Sequence, residues 1–196
     1  MIFGFVGNMR GGKTLGASLV SLAISEVLNI PVYANYPLFH PNYKYFEKWK
    51  EIKDVTNSII IYDEIGTSMD SRNYKSEDQI TFTHLFAQMG KLGNTFMYTA
   101  QRMHSVEKRV RDNTDYFIYC ERLWPTNSLR QTWFDTQQSV EEPTKIIEYI
   151  IEHPEKIYGI FDSFAVVKTQ MNTGAINAEK KSGKINWRKR SSAYAS

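Results

Sequence analysis

The segment "GNMRGGKT" sets Gly7, Gly12, Lys13 and Thr14 at the spacing G-x-x-x-x-G-K-[ST]. Glycine-rich backbone can curl until its N–H groups converge on phosphate oxygens, and a helix opening at Lys13 adds the positive end of its dipole. In such a loop the lysine reaches the β- and γ-phosphates and the threonine hydroxyl holds Mg²⁺. The apolar run Ile2–Val6 directly before it supplies the strand, and the residues after it supply the helix, that the mechanism requires. The expected nucleotide-binding stretch is therefore Gly7, Asn8, Met9, Arg10, Gly11, Gly12, Lys13, Thr14 and Leu15.

A second constellation follows at "IIIYDE", where four apolar residues end in two acids. Asp63 suits a Mg²⁺-holding acid at a strand terminus, and Glu64 beside it can orient or deprotonate an attacking water. The apolar stretch "TFMYTAQ" ends in Gln101, a polar residue that can reach a γ-phosphate if its strand lies between those carrying Lys13 and Asp63. The adjacent acid pair distinguishes hydrolysing motors from many kinases and small GTPases. No segment like "NKxD" selects guanine, so ATP is the expected nucleotide, with Mg²⁺ at Thr14 and Asp63.

These residues need a frame, and the hydropathy pattern describes one. Short apolar runs alternate with segments of helical period, the pattern of a parallel α/β sheet. Strands are expected at Ile2–Val6, Val32–Asn35, Ile59–Tyr62, Thr95–Ala100 and Tyr116–Glu121, and helices at Lys13–Leu28, Glu77–Lys91 and Val106–Arg111. Gly93 marks the end of the second helix. Later, "QTWFDT" reads as an extra strand, "PTKIIEYIIEH" as a helix, and "KIYGIFDSFAVV" as a strand or a packing arm. The aromatics of "YPLFHPNYKYFEKW" can stack on bases, but packing between neighbouring strands accounts for them better.

A chain of 196 residues fits one core. The expected domains are a single P-loop ATPase domain over 1–171 and a basic tail over 172–196. No run approaches the roughly 18 to 20 apolar residues that cross a bilayer, and the N-terminus lacks the basic lead of a signal peptide. One cysteine, Cys120, excludes an internal disulfide framework and suits a reducing interior. Of 24 lysines and arginines, six lie from Lys180 onward, where Glu179 is the sole acid nearby; the preceding body holds 18 bases against 20 acids. The positive surplus therefore resides in Lys180, Lys181, Lys184, Arg188, Lys189 and Arg190, which with Arg102 and Lys108 are the expected contacts to a polyanion. No helix-turn-helix or zinc-finger pattern points to base reading, so the expected track is double-stranded DNA bound without sequence preference.

The phosphate loop, "IIIYDE" and "LGNTFMYTAQ", taken in that order, resemble the FtsK/HerA superfamily of ring-forming DNA-translocating ATPases. "DSRNYKS", "KRVRDNTDYFIYC" and "KIYGIFDS" are similar to its compact viral branch, the genome-packaging ATPases of membrane-containing icosahedral viruses, archaeal turreted ones included. "VYANYPL" resembles the Zot-like assembly ATPases of filamentous phages. The likeness covers Met1 to Cys120 well and the remainder thinly. It implies a RecA-like core with strand order 5-1-4-3-2, counting the five expected strands along the chain. It also implies Lys13, Glu64 as base and Gln101 as γ-phosphate sensor in catalysis, and a homo-oligomeric ring in which an arginine completes the neighbour's site. Relatives often carry that arginine just before the glycine preceding the sensor strand. This chain has "GKLG" there, so Arg72, Arg109 and Arg111 are the candidate fingers.

The leading expectation is a motor packaging a viral genome into a preformed shell, in host cytoplasm or on the virion, with capsid or membrane-vertex proteins as partners. A Zot-like assembly or export ATPase acting on virion proteins at a membrane is the alternative, weakened by the missing transmembrane stretch. A slow nucleotide-dependent switch is a third, opposed by Glu64 beside Asp63.

Overall fold

A computed structural model describes residues 1–68, 77–137 and 142–160. Its described residues form one sheet from β1 (Ile2–Val6), β2 (Val32–Ala34), β3 (Tyr43–Tyr45), β4 (Ile59–Tyr62), β5 (Thr95–Ala100), β6 (Tyr116–Leu123), β7 (Ser128–Asp135) and β8 (Thr144–Ile151). The spatial order is β3-β2-β4-β5-β1-β6-β7-β8. All pairings from β3 to β6 are parallel, and β7 and β8 are added antiparallel. The five strands expected from the sequence stand in the expected order, and the sheet is extended at both edges. The described α-helices are α1 (Lys13–Leu28), α2 (Ile65–Ser68), α3 (Glu77–Gln88) and α4 (Lys108–Asp112), with the second expected helix ending three residues early, and short helical turns lie at Trp49–Glu51, Met103–Ser105 and Pro154–Ile160.

Near-continuous apolar strands arise because both faces of the sheet are covered. In β4, Ile59 and Ile61 point to the α1 face, where they join Phe3, Phe5, Leu15, Met97 and Ile118. Ile60 and Tyr62 point to the opposite face and meet Phe82, Leu85 and Phe86 of α3, Val110 of α4, and Phe96 and Tyr98. The aromatic segment divides along the same logic. Tyr36, Phe46 and Trp49 are buried, Trp49 stacking on Tyr62 at 4.6 Å, whereas Phe39 and Tyr45 are exposed.

The expected helix in "PTKIIEYIIEH" is a correction: residues 144–151 form β8, paired along β7 from Leu129↔Ile151 to Asp135↔Thr144. Ile146, Ile147, Ile150 and Ile151 recur at helical spacing, which invited the misreading. They are β-branched, however, and a pleated ribbon seats such side chains better than a helix does. The strand overhangs the body, with Ile146, Ile147 and Ile150 each about half exposed. Of "KIYGIFDSFAVV", the part up to Ile160 lies in a tight helical turn, Pro154–Ile160, joined to the body by the Phe39 amide donating to the Ile160 carbonyl at 2.8 Å. The rest lies outside the described residues.

Chain connections leave β1 and its neighbours on opposite faces. From β1 the chain passes through α1 on one face; from β4 and β5 it passes through α3 and α4 on the other. The carboxyl ends of β1, β4 and β5 therefore border a crevice at the switch in direction, where parallel α/β sheets take ligands.

Candidate functional site

The loop from Gly7 to Gly12 fills that crevice, and its glycines are imposed by close approach. A Cβ on Gly7, whose φ is 148°, would stand 2.0 Å from the Cys120 carbonyl oxygen; one on Gly11 would stand 2.7 Å from the same atom. Gly12, at φ 85°, faces Leu129 Cδ1 at 2.6 Å. Both the positive φ values and the backbone contacts select glycine. The Gly11 amide donates to the Asn8 carbonyl at 3.1 Å, closing the turn, while Asn8, Met9 and Arg10 are exposed at its rim. Leu15 is buried in the α1-face core.

Lys13 Nζ donates to the Asn8 carbonyl at 2.8 Å, lying back across the loop. Burial lowers its pKa, with Asp63, Cys120 and Glu64 pulling the other way. A partly desolvated ammonium at the start of a helix favours a nearby anion, which would offset its loss of hydration. Cys120 itself is buried, its thiol pushed up to about 12 by desolvation, so its role is the carbonyl that receives the loop.

Thr14 Oγ1 donates to Asp63 Oδ1 at 2.9 Å, so the residues expected to share Mg²⁺ are brought together across 49 positions. A hydroxyl and a carboxylate are hard oxygen donors of the kind Mg²⁺ takes, and the pair fits that ion. Burial raises the Asp63 pKa, opposed by hydrogen bonds from Thr99 and Thr14. Glu64 is exposed, follows Asp63 with a left-handed φ of 57° that departs from the strand conformation, and is close enough to Lys13 for its charge to be felt there. Gln101 follows Ala100, which pairs with Val6, and β5 lies between β4 and β1. The strand order that the γ-sensor expectation required is thus present, and Gln101 is exposed at that end.

Three supporting residues were not legible beforehand. Thr99, fully buried, donates to Asp63 Oδ1 at 2.6 Å and accepts from the Glu64 amide at 2.9 Å, gripping both acids at once. The Asn35 side chain accepts from the Asp63 amide at 2.7 Å and donates to the Asp63 carbonyl at 3.2 Å, fixing the backbone of β4's end. Ser18 donates to the Thr14 carbonyl at 2.7 Å and shares a hydrogen bond with the Tyr36 hydroxyl at 2.9 Å. The available signal was a polar residue at or near the carboxyl end of an otherwise apolar strand, as in "VYAN" and "FMYTA".

The basic candidates are not gathered here. Arg102 is exposed just past Gln101. Lys108, Arg109 and Arg111 ride on α4, which leads into the start of β6 at the sheet end remote from the loop. There Lys108 pairs with Asp112, Arg109 lies 3.8 Å from Glu107 and Arg111 lies 4.0 Å from Asp112. Arg72 and the six basic residues from Lys180 to Arg190 lie outside the described residues. Among the described residues no helix is long and apolar enough to cross a membrane, and no cluster of three His, Cys, Asp or Glu could hold a metal.

A glycine-rich loop between β1 and α1, an acid pair after β4 and a polar-tipped strand between them define a P-loop NTPase fold with RecA-like strand order. The chain belongs to the zonular occludens toxin (Zot) family, which matches residues 21–168. No curated protein sequence is significantly similar to it. Among solved structures it is similar to the N-terminal domain of zonular occludens toxin from Neisseria meningitidis, at 15% identity and a TM-score of 0.55, covering 82% of this chain and 98% of that one. It is also similar to the DNA-packaging ATPase of Sulfolobus turreted icosahedral virus, at 11% identity and a TM-score of 0.51, covering 77% and 96%. The genome-packaging NTPase of the related virus 2, solved with ATP-gammaS, matches at 10% identity and a TM-score of 0.52 over 77% and 96%.

Proposed function

We propose that this chain hydrolyses ATP to drive virion assembly, as an FtsK/HerA-type motor that moves double-stranded DNA into a preformed capsid. The observation that carries the ATPase reading is the meeting of Thr14 with Asp63 at 2.9 Å while Thr99 holds Asp63 and Glu64 together beneath the phosphate loop. Lys13 and the loop amides would bind the outer phosphates, and Thr14 and Asp63 would hold Mg²⁺, which when bound supplies charge that offsets that of the phosphates. Glu64 accepts the proton of the attacking water, and Gln101 senses the terminal phosphate from the neighbouring strand. The DNA reading is supported by the shared fold of a DNA-packaging ATPase and by the excess of basic residues after Glu179. A ring of identical subunits, assembling on DNA or capsid, would supply the arginine from Arg72, Arg109 or Arg111.

A second reading, an assembly or export ATPase acting on virion proteins at a membrane, is favoured by the Zot family match and the Neisseria domain. Steady-state ATP hydrolysis with and without linear duplex DNA, at low and high salt, separates the two. Severalfold stimulation that fades at high salt supports translocation on DNA, since phosphate contacts weaken steeply with salt. Hydrolysis indifferent to DNA but raised by coat protein or membranes supports the second reading.

A further inference from the structure

The site described above accounts for the phosphates and leaves the nucleoside end of the ligand unassigned. Its direction follows from the topology. Asp63 and Gln101 stand over β4 and β5, on one side of β1, so the terminal phosphate points that way. The opposite end of the ligand must then leave over β6 and β7. There the loop is packed without a gap, Gly7 and Gly11 against the Cys120 carbonyl and Gly12 against Leu129.

Beyond that contact the β6–β7 hairpin continues past the loop to its tip, closed by the pair Leu123↔Ser128. Arg122 pairs directly with Leu129 and so shares the α1 face with the side chain that touches Gly12. At a strand rise of roughly 3.3 Å per residue, it stands about 7 Å beyond Cys120. Its guanidinium lies 5.7 Å from the centre of the Trp124 ring. One indole face is thus occupied by a planar cation, which also fixes the ring's attitude. Trp124, one residue past the end of the strand whose Cys120 carbonyl meets the phosphate loop, is nevertheless 74% exposed, which leaves the other face open to solvent. A tryptophan this exposed at a hairpin tip buries little of its surface in the fold, whereas an open indole face is a platform for a flat aromatic ligand.

The geometry points to Trp124, backed by Arg122, as the platform on which the purine base of the bound nucleotide stacks. This deepens the ATPase reading and rests on it. Because stacking recognises a π face rather than a pattern of donors, the platform would accept adenine and guanine alike, and would contribute affinity more than base selection.

The test is calorimetric titration of the full chain with Mg-ATP and, separately, with Mg-tripolyphosphate, which carries the phosphates and no base. Trp124→Ala should weaken ATP binding about tenfold, within the range one base–aromatic stack contributes, and leave tripolyphosphate binding unchanged. Trp124→Phe should recover most of the loss. Equal ATP affinity in wild type and Trp124→Ala would overturn the base platform while leaving the nucleotide site standing. Parallel loss of both ligands would overturn it too, since the effect would then be on the loop. Failure of the wild type to bind either ligand would remove the nucleotide site and the platform with it.

Discussion

Thr99→Val is the perturbation that most directly probes how the two acids are held. Valine matches threonine in shape, so the core around β5 stays filled, but the hydroxyl that donates to Asp63 at 2.6 Å and accepts from the Glu64 amide at 2.9 Å disappears. Asp63 keeps its bond from Thr14 at 2.9 Å, so it is weakened rather than stranded, while the Glu64 amide loses the acceptor it has on β5. Leaving such groups short of a partner costs about 1–3 kcal/mol each. With water able to reach the exposed Glu64, a total of about 2–3 kcal/mol is expected. For a domain of this size, each kcal/mol moves the melting temperature by about 2–4 °C, so a fall of roughly 5–10 °C should appear in calorimetry of the nucleotide-free chain. The catalytic effect should be larger. Glu64 sits at φ 57°, a conformation that persists only where its surroundings enforce it. If Glu64 is the base, as proposed, its release and displacement by about 1 Å can cost about a hundredfold in rate. Turnover should therefore drop ten- to a hundredfold on that scale, with Thr99→Ser, which retains the hydroxyl, close to wild type. Wild-type melting and wild-type turnover in Thr99→Val would refute the claim that Thr99 positions the acids.

Two further expectations concern the acids themselves. Asp63→Asn keeps an oxygen to accept from Thr14 and Thr99 and removes a buried charge, so the nucleotide-free protein should melt higher at neutral pH while Mg-dependent hydrolysis is lost. A carboxyl whose folded pKa is raised stabilises the fold below its unfolded value, and that contribution vanishes as pH rises through the folded pKa. The advantage of Asp63→Asn should accordingly be greatest at neutral pH and shrink as pH falls through the raised pKa toward 3.8, which melting curves across that window would check. Glu64→Gln should bind ATP as tightly as wild type and lose most hydrolysis; near-normal turnover in a single-turnover assay would take Glu64 out of the chemistry.

The candidate site residues that the structure brings together, Thr14, Asp63 and Glu64, were readable in the linear chain because each is tied to a local rule. A phosphate loop must follow a strand and open a helix, and the acids must end a buried strand, so Gly7 to Thr14, Asp63 and Glu64 carry their context within a few positions. The five central strands and α1 were readable for the same reason, since each is a short apolar run or a run of helical period. Tertiary structure alone decided the rest. Isoleucines at 146, 147, 150 and 151 satisfy a helical and a pleated arrangement alike, and pairing with β7 settled them as strand. Thr99 and Asn35 look like incidental polar residues until β2, β4 and β5 lie side by side and bring them to Asp63 across 36 and 28 positions. The glycines of the loop are required by curvature, but the carbonyl of Cys120 and the side chain of Leu129 that press on them come from β6 and β7, more than a hundred residues on. The same hairpin continues past those contacts to Arg122 and Trp124. Local propensity and periodicity specify elements; only the closing of non-local contacts specifies which side chains meet, and the site's supporting shell consists almost wholly of such meetings.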